Sequence, residues 1–419
     1  MDLIPKPDQV VSAASNVAHT VLYGGLADLR KMPRTLIDDG MLREVYHYRP
    51  VGRVKDVGDP VLLVTPLAAP ASCFDLRRGC SLVEHLVGEG RPTYLVEYGE
   101  VSFKDRNLGI EHWIDEVIPE AIRLTSAHAG GRPVHVVGWS LGGLFAVLTA
   151  ADQADLPIAS LTLLGSPFDV SKVPMIAPLR PLLALADRPV RGLKKGHGPI
   201  TRIYQAVGGA PKPLVRWAFQ LSSAQKLVTR PLVKLRNLDD ADFLAQIEAV
   251  DAFVAQMYAY PGRTFGQLYH RFLKSNELRE GWFELDDRRI ELSAIRVPVL
   301  IFGGLTDGIA PIPCVRAGER LLTGASEVRF EAVPGGHLGM LTGRAARGST
   351  WRVLDEWLTQ WASDGAGPTA RPARRAPAKK AAPKSAPASS APPKQASREA
   401  IGANPSRRYG SGGSRSLAR

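Results

Sequence analysis

Apolar residues along the chain fall into two alternating patterns. Residues 61–65 (Val-Leu-Leu-Val-Thr) form a short apolar run stopped by Pro66. Comparable runs occupy residues 93–97, 134–137, 160–164, 297–302 and 328–333. Runs of this length and apolarity predict strands buried on both faces. Between them the spacing changes to helical. Residues 81–87 (Ser-Leu-Val-Glu-His-Leu-Val) carry it, with Gly88 and Gly90 as stop signals. Residues 114–124, a segment starting near Leu141, and residues 351–361 read as helices too. Short apolar strands alternating with helices predict an α/β chain with a mainly parallel sheet and helices on both faces.

The alternation breaks in three places. Residues 1–45 hold a mildly amphipathic stretch around residues 10–29 and read as an N-terminal helical segment. Residues 171–293 are helix-rich with no clear parallel strand; Phe243, Leu244, Ile247, Val250, Phe253, Val254 and Met257 recur at helical spacing and predict the core of a helical insertion. Lying before the last two strands, that insertion is expected to cap whatever site the sheet builds, with some of its apolar surface available to line a lipid-binding cleft. The sheet-forming body is then residues 46–170 and 294–362. From residue 363 to 419 the text becomes Ala, Pro, Ser and isolated Lys and Arg, a composition unable to bury a core, so a disordered basic tail is expected.

Charge follows the same division. The chain carries a net +12, but residues 363–419 hold 12 Lys/Arg against 2 Asp/Glu, so +10 belongs to the tail and +2 to everything else. The body is therefore nearly neutral, and basicity gives no reason to expect a nucleic-acid-binding domain. The tail suits solubilisation, or electrostatic contact with a lipid granule, an anionic surface or nucleic acid; with Tyr409 its one aromatic residue, specific base stacking is not expected. Three cysteines (Cys73, Cys80, Cys314) without a C-x-x-C pair fit a reducing cytoplasm better than a disulfide framework or zinc site. No basic-then-apolar leader and no run of about 18 apolar residues is present, so neither a signal peptide nor a membrane span is expected.

Candidate chemistry centres on Gly138-Trp139-Ser140-Leu141-Gly142, a G-x-S-x-G motif. The motif alone is modest, since about one chain in five to ten of this length would hold one by chance. Here it directly follows the strand at 134–137 and opens the apolar helix beginning near Leu141, the setting of a nucleophile elbow. Such a turn needs glycines beside the serine, exposes the hydroxyl above the sheet edge, and sets it at a helix N-terminus where developing negative charge is favoured. A serine needs a base. Of nine histidines, His337 stands out in Pro334-Gly-Gly-His-Leu-Gly339, just past the last strand; His135 lies inside the nucleophile strand and should point away. Asp307, at the end of the strand covering 297–302, is placed to orient the imidazole, and the order Ser…Asp…His is that of the α/β-hydrolase fold. The oxyanion hole is expected from the backbone N–H of Leu141 and of Leu67 or Ala68 in the loop after the first apolar strand.

With those residues identified, the chain resembles the polyhydroxyalkanoate (PHA) synthase family over roughly residues 45–345. Ser81-Leu-Val-Glu-His-Leu-Val-Gly-Glu-Gly90 followed by Tyr94-Leu-Val-Glu, Gly138-Trp-Ser-Leu-Gly-Gly143, Leu273-Lys-Ser-Asn-Glu-Leu278, Arg289-Ile-Glu-Leu-Ser-Ala-Ile-Arg-Val-Pro298, Asp307-Gly-Ile-Ala-Pro311 and Gly336-His337 carry the likeness. It implies an α/β-hydrolase fold with a helical cap, acyl chemistry at Ser140, Asp307 and His337, and a homodimer formed through the cap. Family members use cysteine in the elbow where this chain has Ser140. A thiol suits polymerisation, because thioesters pass acyl groups readily, whereas serine is the usual lipase and esterase nucleophile.

The expectation is a serine acyl hydrolase or acyltransferase acting on acyl esters or acyl-CoA. A PHA-synthase-like transferase elongating hydroxyacyl-CoA is the first alternative. A non-catalytic protein binding lipid granules or anionic surfaces is the second. No phosphate loop, dinucleotide fingerprint or metal cluster is present in the sequence, so no cofactor is expected. The expected location is cytoplasmic, including at lipid inclusions or the inner membrane surface.

Overall fold

The computed structural model describes residues 7–174, 209–221 and 231–363. The sequence readings for the tail and for much of the insertion's first half fall outside those residues.

An eight-stranded sheet forms the frame, in the order β1 (Arg34–Gly40), β2 (Arg43–Tyr48), β4 (Thr93–Glu97), β3 (Val61–Val64), β5 (Val134–Trp139), β6 (Ile158–Leu164), β9 (Val299–Gly304) and β10 (Val328–Val333). From β4 to β10 all neighbours are parallel, while β2 runs antiparallel to both β1 and β4. The six expected strands are all present. Because strand side chains alternate between faces, the apolar runs feed two cores. Leu62, Val64, Val96, Val136, Leu163 and Ile301 pack on one face beneath α3 (Ile118–His128) and α4 (Leu141–Asp152). Val61, Leu63, Leu95, Val137, Leu300 and Phe302 pack on the other beneath α2 (Leu82–Gly88) and the closing helix Arg352–Gln360. α2 is capped as its sequence asks: the Ser81 hydroxyl accepts the Glu84 N–H at 3.0 Å.

The helical reading of residues 1–45 needs correction. Helix α1 (Pro7–Tyr23) is present and ends at Gly24, whose φ of +81° a side chain would strain. Residues 34–48, however, form the β1–β2 hairpin at the edge of the main sheet. At the sheet's edge the hairpin is only partly covered. Val45 and Tyr48 are buried, one against each core, but Arg34, Asp38, Asp39, Arg43 and Glu44 stand among its apolar positions, so it shows no continuous apolar run.

Between β6 and β9 the described residues contain α5 (Lys212–Leu221), α6 (Ala241–Ala255), helical turns over 262–274 and a short antiparallel ribbon of β7 (Trp282–Glu284) with β8 (Arg289–Glu291). No parallel strand occurs among the described residues of this insertion.

Candidate active site

Ser140 begins where β5 ends and α4 starts, with φ +54° and ψ −120°. A non-glycine residue held there costs about 1–3 kcal/mol, which the surroundings must offset. Its N–H donates to Leu164 O at 2.8 Å, and its carbonyl accepts from the Ser166 hydroxyl at 2.8 Å and from Leu144 N–H at 3.3 Å. The flanking glycines have a steric cause. A Cβ on Gly138 would strike the backbone of Gly143, and one on Gly142 the carbonyls of Val64 and Thr65. The elbow therefore sits tight against the end of β3.

The loops after β9 and β10 bring the other candidates to the same edge. His337 Nε2 lies 2.8 Å from Ser140 Oγ, and His337 Nδ1 lies 2.7 Å from Asp307 Oδ2. The second Asp307 oxygen accepts the N–H groups of Ile309 (2.8 Å) and Ala310 (2.9 Å), which fixes the carboxylate's rotation. Asp307 and His337 are buried and Ser140 is half-buried. Gly165, after β6, adopts φ +61° directly under the imidazole; a Cβ there would stand 3.2 Å from the ring.

Leu141 is the first residue of α4, so its N–H has no intrahelical acceptor. In the loop after β3, Ala69 N–H closes a turn onto Pro66 O at 3.0 Å, and among the described residues nothing accepts from the N–H of Leu67 or Ala68. Both residues are buried: the Leu67 side chain enters the main core, whereas Ala68 packs with Ala210, Val215 and Met257 of the insertion. Tyr258 N–H, just past α6, donates to Ala68 O at 2.9 Å.

His135 points away from Ser140, as its strand position implied. Its Nδ1 is 2.8 Å from Ser160 Oγ, and burial pushes the imidazole down to about 4. The cysteines are free and buried, none beside Ser140 in sequence; burial pushes the Cys314 thiol up to about 12, so it is not an available nucleophile. Sequence reasoning missed two supports of the elbow. Ser166 was findable, being a polar residue just past the strand adjoining β5. Trp139, whose indole N–H reaches His337 O at 3.0 Å, was visible in the motif, but its partner lies 198 residues away.

A mostly parallel sheet with this strand order, an elbow after the central β5, and loops after β9 and β10 converging on it defines an α/β-hydrolase fold. The chain matches no protein-family model. It resembles the PHA synthase-like family within the α/β-hydrolase superfamily. Over 362 residues it is 22% identical to the poly(3-hydroxyalkanoate) polymerase subunit PhaC of Haloferax mediterranei, covering 85% of this chain and 69% of that protein. It is 24% identical over 318 residues to the PhaC subunit of Allochromatium vinosum, covering 75% and 85%. Solved structures with a similar fold include the Paleococcus ferrophilus monoacylglycerol lipase (19% identity, 78% and 98% covered, TM-score 0.41). A thermophilic esterase from Thermogutta terrifontis is another (15%, 80% and 100%, TM-score 0.40). At such scores these likenesses add nothing to the strand order itself.

Proposed function

We propose that this chain is a serine acyl hydrolase or acyltransferase that works through an acyl-serine intermediate on fatty-acyl or hydroxyacyl esters or thioesters. The observation that carries the reading is the unbroken hydrogen-bonded chain from Ser140 Oγ through His337 to Asp307 at the C-terminal edge of the sheet.

In this reading His337 Nε2 takes the Ser140 hydroxyl proton as Oγ attacks the substrate carbonyl. The oxyanion is held by the N–H of Leu141 and of Leu67 or Ala68. Collapse breaks the bond to the leaving alcohol or thiol, which receives the proton from His337. Water or a second alcohol then repeats the sequence in reverse and frees Ser140. Asp307 fixes the imidazole tautomer and stabilises its cationic form. The described residues of the insertion, 209–221 and 231–293, serve as a cap that shapes the acyl site.

The polymerase relatives favour a second reading, in which the acceptor is the hydroxyl of another hydroxyacyl unit and the donor an acyl-CoA. Serine in place of the family's cysteine weighs towards hydrolysis.

Time-resolved intact-mass spectrometry of wild type and Ser140→Ala, with long-chain p-nitrophenyl esters and with hydroxyacyl-CoA, separates the readings. Free acid from wild type alone, with little lasting adduct, is the expected result. A growing ladder of acyl units on the protein would replace it with the polymerase reading. Equal turnover by Ser140→Ala would refute both.

A further inference from the structure

We propose that Trp139 is a positioning residue that fixes the backbone of His337 and ties it to the insertion helix α6. The role rests on the acyl-serine reading above.

His337 sits in a segment that has little stiffness of its own. Pro334-Gly-Gly-His-Leu-Gly339 holds three glycines, and Gly335 adopts φ +113°. Its neighbours are tied to the β9 side, through Leu305 N–H to Val333 O at 2.9 Å and Thr306 N–H to Gly335 O at 3.0 Å. Those bonds register the loop against Asp307 but not against Ser140. The link to the nucleophile strand comes from Trp139, the last residue of β5. Its indole Nε1–H donates to the His337 carbonyl at 3.0 Å, and its ring lies 5.2 Å from the imidazole. An indole N–H in an apolar core needs some acceptor. Here the acceptor is the carbonyl of the residue whose imidazole must meet the neighbouring serine, so one side chain spans the distance on which proton transfer depends.

Trp139 is in turn held from above. It is 1% exposed, and Phe253 of α6 packs against it at 6.1 Å between ring centroids. Ala245, Ala249 and Phe253 are the buried residues of α6, and the two small ones let that helix come close to the body. Gln246 of the same helix donates to Thr342 O at 3.1 Å, in the turn following His337. Tyr258 N–H, past the helix end, holds Ala68 O in the candidate oxyanion loop. α6 and the residues just past its end therefore touch the base loop and the oxyanion loop together.

The test uses the full chain with Trp139→Phe, Phe253→Leu and the double variant. The readouts are the rate of Ser140 labelling by a fluorophosphonate, kcat and KM on p-nitrophenyl butyrate, and Tm. Trp139→Phe keeps the ring but removes the donor. It should slow labelling and lower kcat by about tenfold, since small misplacements of catalytic groups carry penalties of this order, with KM within about twofold of wild type. Phe253→Leu should cost less, and the double variant should be no slower than Trp139→Phe, because both act through one ring. A Trp139→Phe protein that labels at the wild-type rate overturns the proposal whatever its Tm. Losses that multiply in the double variant overturn the coupling to α6. Should Trp139→Phe fail to fold, Phe253→Leu decides: labelling at the wild-type rate counts against the proposal. Wild type that does not label at all refutes the acyl-serine reading instead.

Discussion

Ser140 reaches the sheet edge through a backbone conformation few side chains adopt, and its bonds to Leu164 O and from the Ser166 hydroxyl and Leu144 N–H hold it there. The elbow was legible because its demands are local: glycines at fixed offsets, a strand before, a helix after. Asp307 and His337 were legible because the fold presents them at strand ends. Ser166 and Trp139 act through contacts that no periodicity encodes. Removing the hydroxyl in Ser140→Ala should lower kcat by about 10⁴-fold or more, as nucleophile deletions do in serine hydrolases, with stability unchanged or raised. Ester turnover and thermal melts read the two effects. The same strand carries a histidine of opposite character. His135 is buried beside Ser160, and Trp357 donates its indole N–H to that serine at 3.2 Å. Burial lowers its imidazole to about 4 in the folded chain, against an ordinary value near 6.5 when unfolded. Between those values the unfolded chain binds a proton that the folded one refuses. Stability therefore falls as pH drops through this window, by on the order of 3 kcal/mol at its acid end. His135→Gln should flatten that slope in urea unfolding at pH 7 and 4.5, and an unchanged slope would show that the loss lies elsewhere.

Among the elements, the central apolar strands were legible and the charged edge hairpin was not. β10, an edge strand left half-buried, was legible because Val328, Phe330, Ala332 and Val333 keep an apolar run around Arg329 and Glu331. β3, β5, β6 and β9 are apolar end to end or nearly so, whereas the β1–β2 hairpin, only partly covered at the sheet's edge, mixes charge with apolar residues. In α6 the predicted stripe of large apolar residues is only half right. Phe253 and, past the helix end, Met257 are buried, but Phe243, Leu244, Ile247, Val250 and Val254 are half-buried, and Ala245 and Ala249 lie deeper. Large residues flank a close approach that only small ones can make. The insertion also has a staple at its roots that no pattern announced. Asn276, at φ +55°, donates to Asp169 Oδ1 at 2.8 Å and accepts Val170 N–H at 3.0 Å, joining the chain leaving β6 to the chain approaching β7. Asn276→Gly keeps the left-handed backbone but loses both bonds. Asn276→Ala loses them and adds strain. We expect losses of about 1–3 kcal/mol for glycine and roughly 1 kcal/mol more for alanine. Denaturant midpoints falling in the order wild type, glycine, alanine would establish the staple; equal midpoints would remove it.

At the scale of the whole molecule, charge and chemistry occupy different parts of the chain. Every residue proposed for catalysis lies between residues 67 and 337, while residues 364–419 hold 12 Lys/Arg against 2 Asp/Glu, +10 of the net +12. A natural place to separate them follows Ser363, whose N–H and hydroxyl bond to the Asp59 carboxylate at 2.6 and 2.7 Å and so belong to the body. Attraction between a +10 segment and an anionic surface is long-ranged at low salt and screened within about 10 Å at 0.1 M. A nearly neutral body has no comparable means of attraction. Ending the chain at Ser363 should therefore leave kcat and KM on a soluble ester at wild-type values. It should also abolish the salt-sensitive binding to phosphatidylserine vesicles that the full chain is expected to show in co-sedimentation. Vesicle binding that survives the truncation would move the surface contact to the body, where the exposed apolar residues of α1 (Val10, Val11, Val17, Val21, Leu22) are the next candidates. Such binding would then be insensitive to salt, because burying apolar surface does not depend on screened charge.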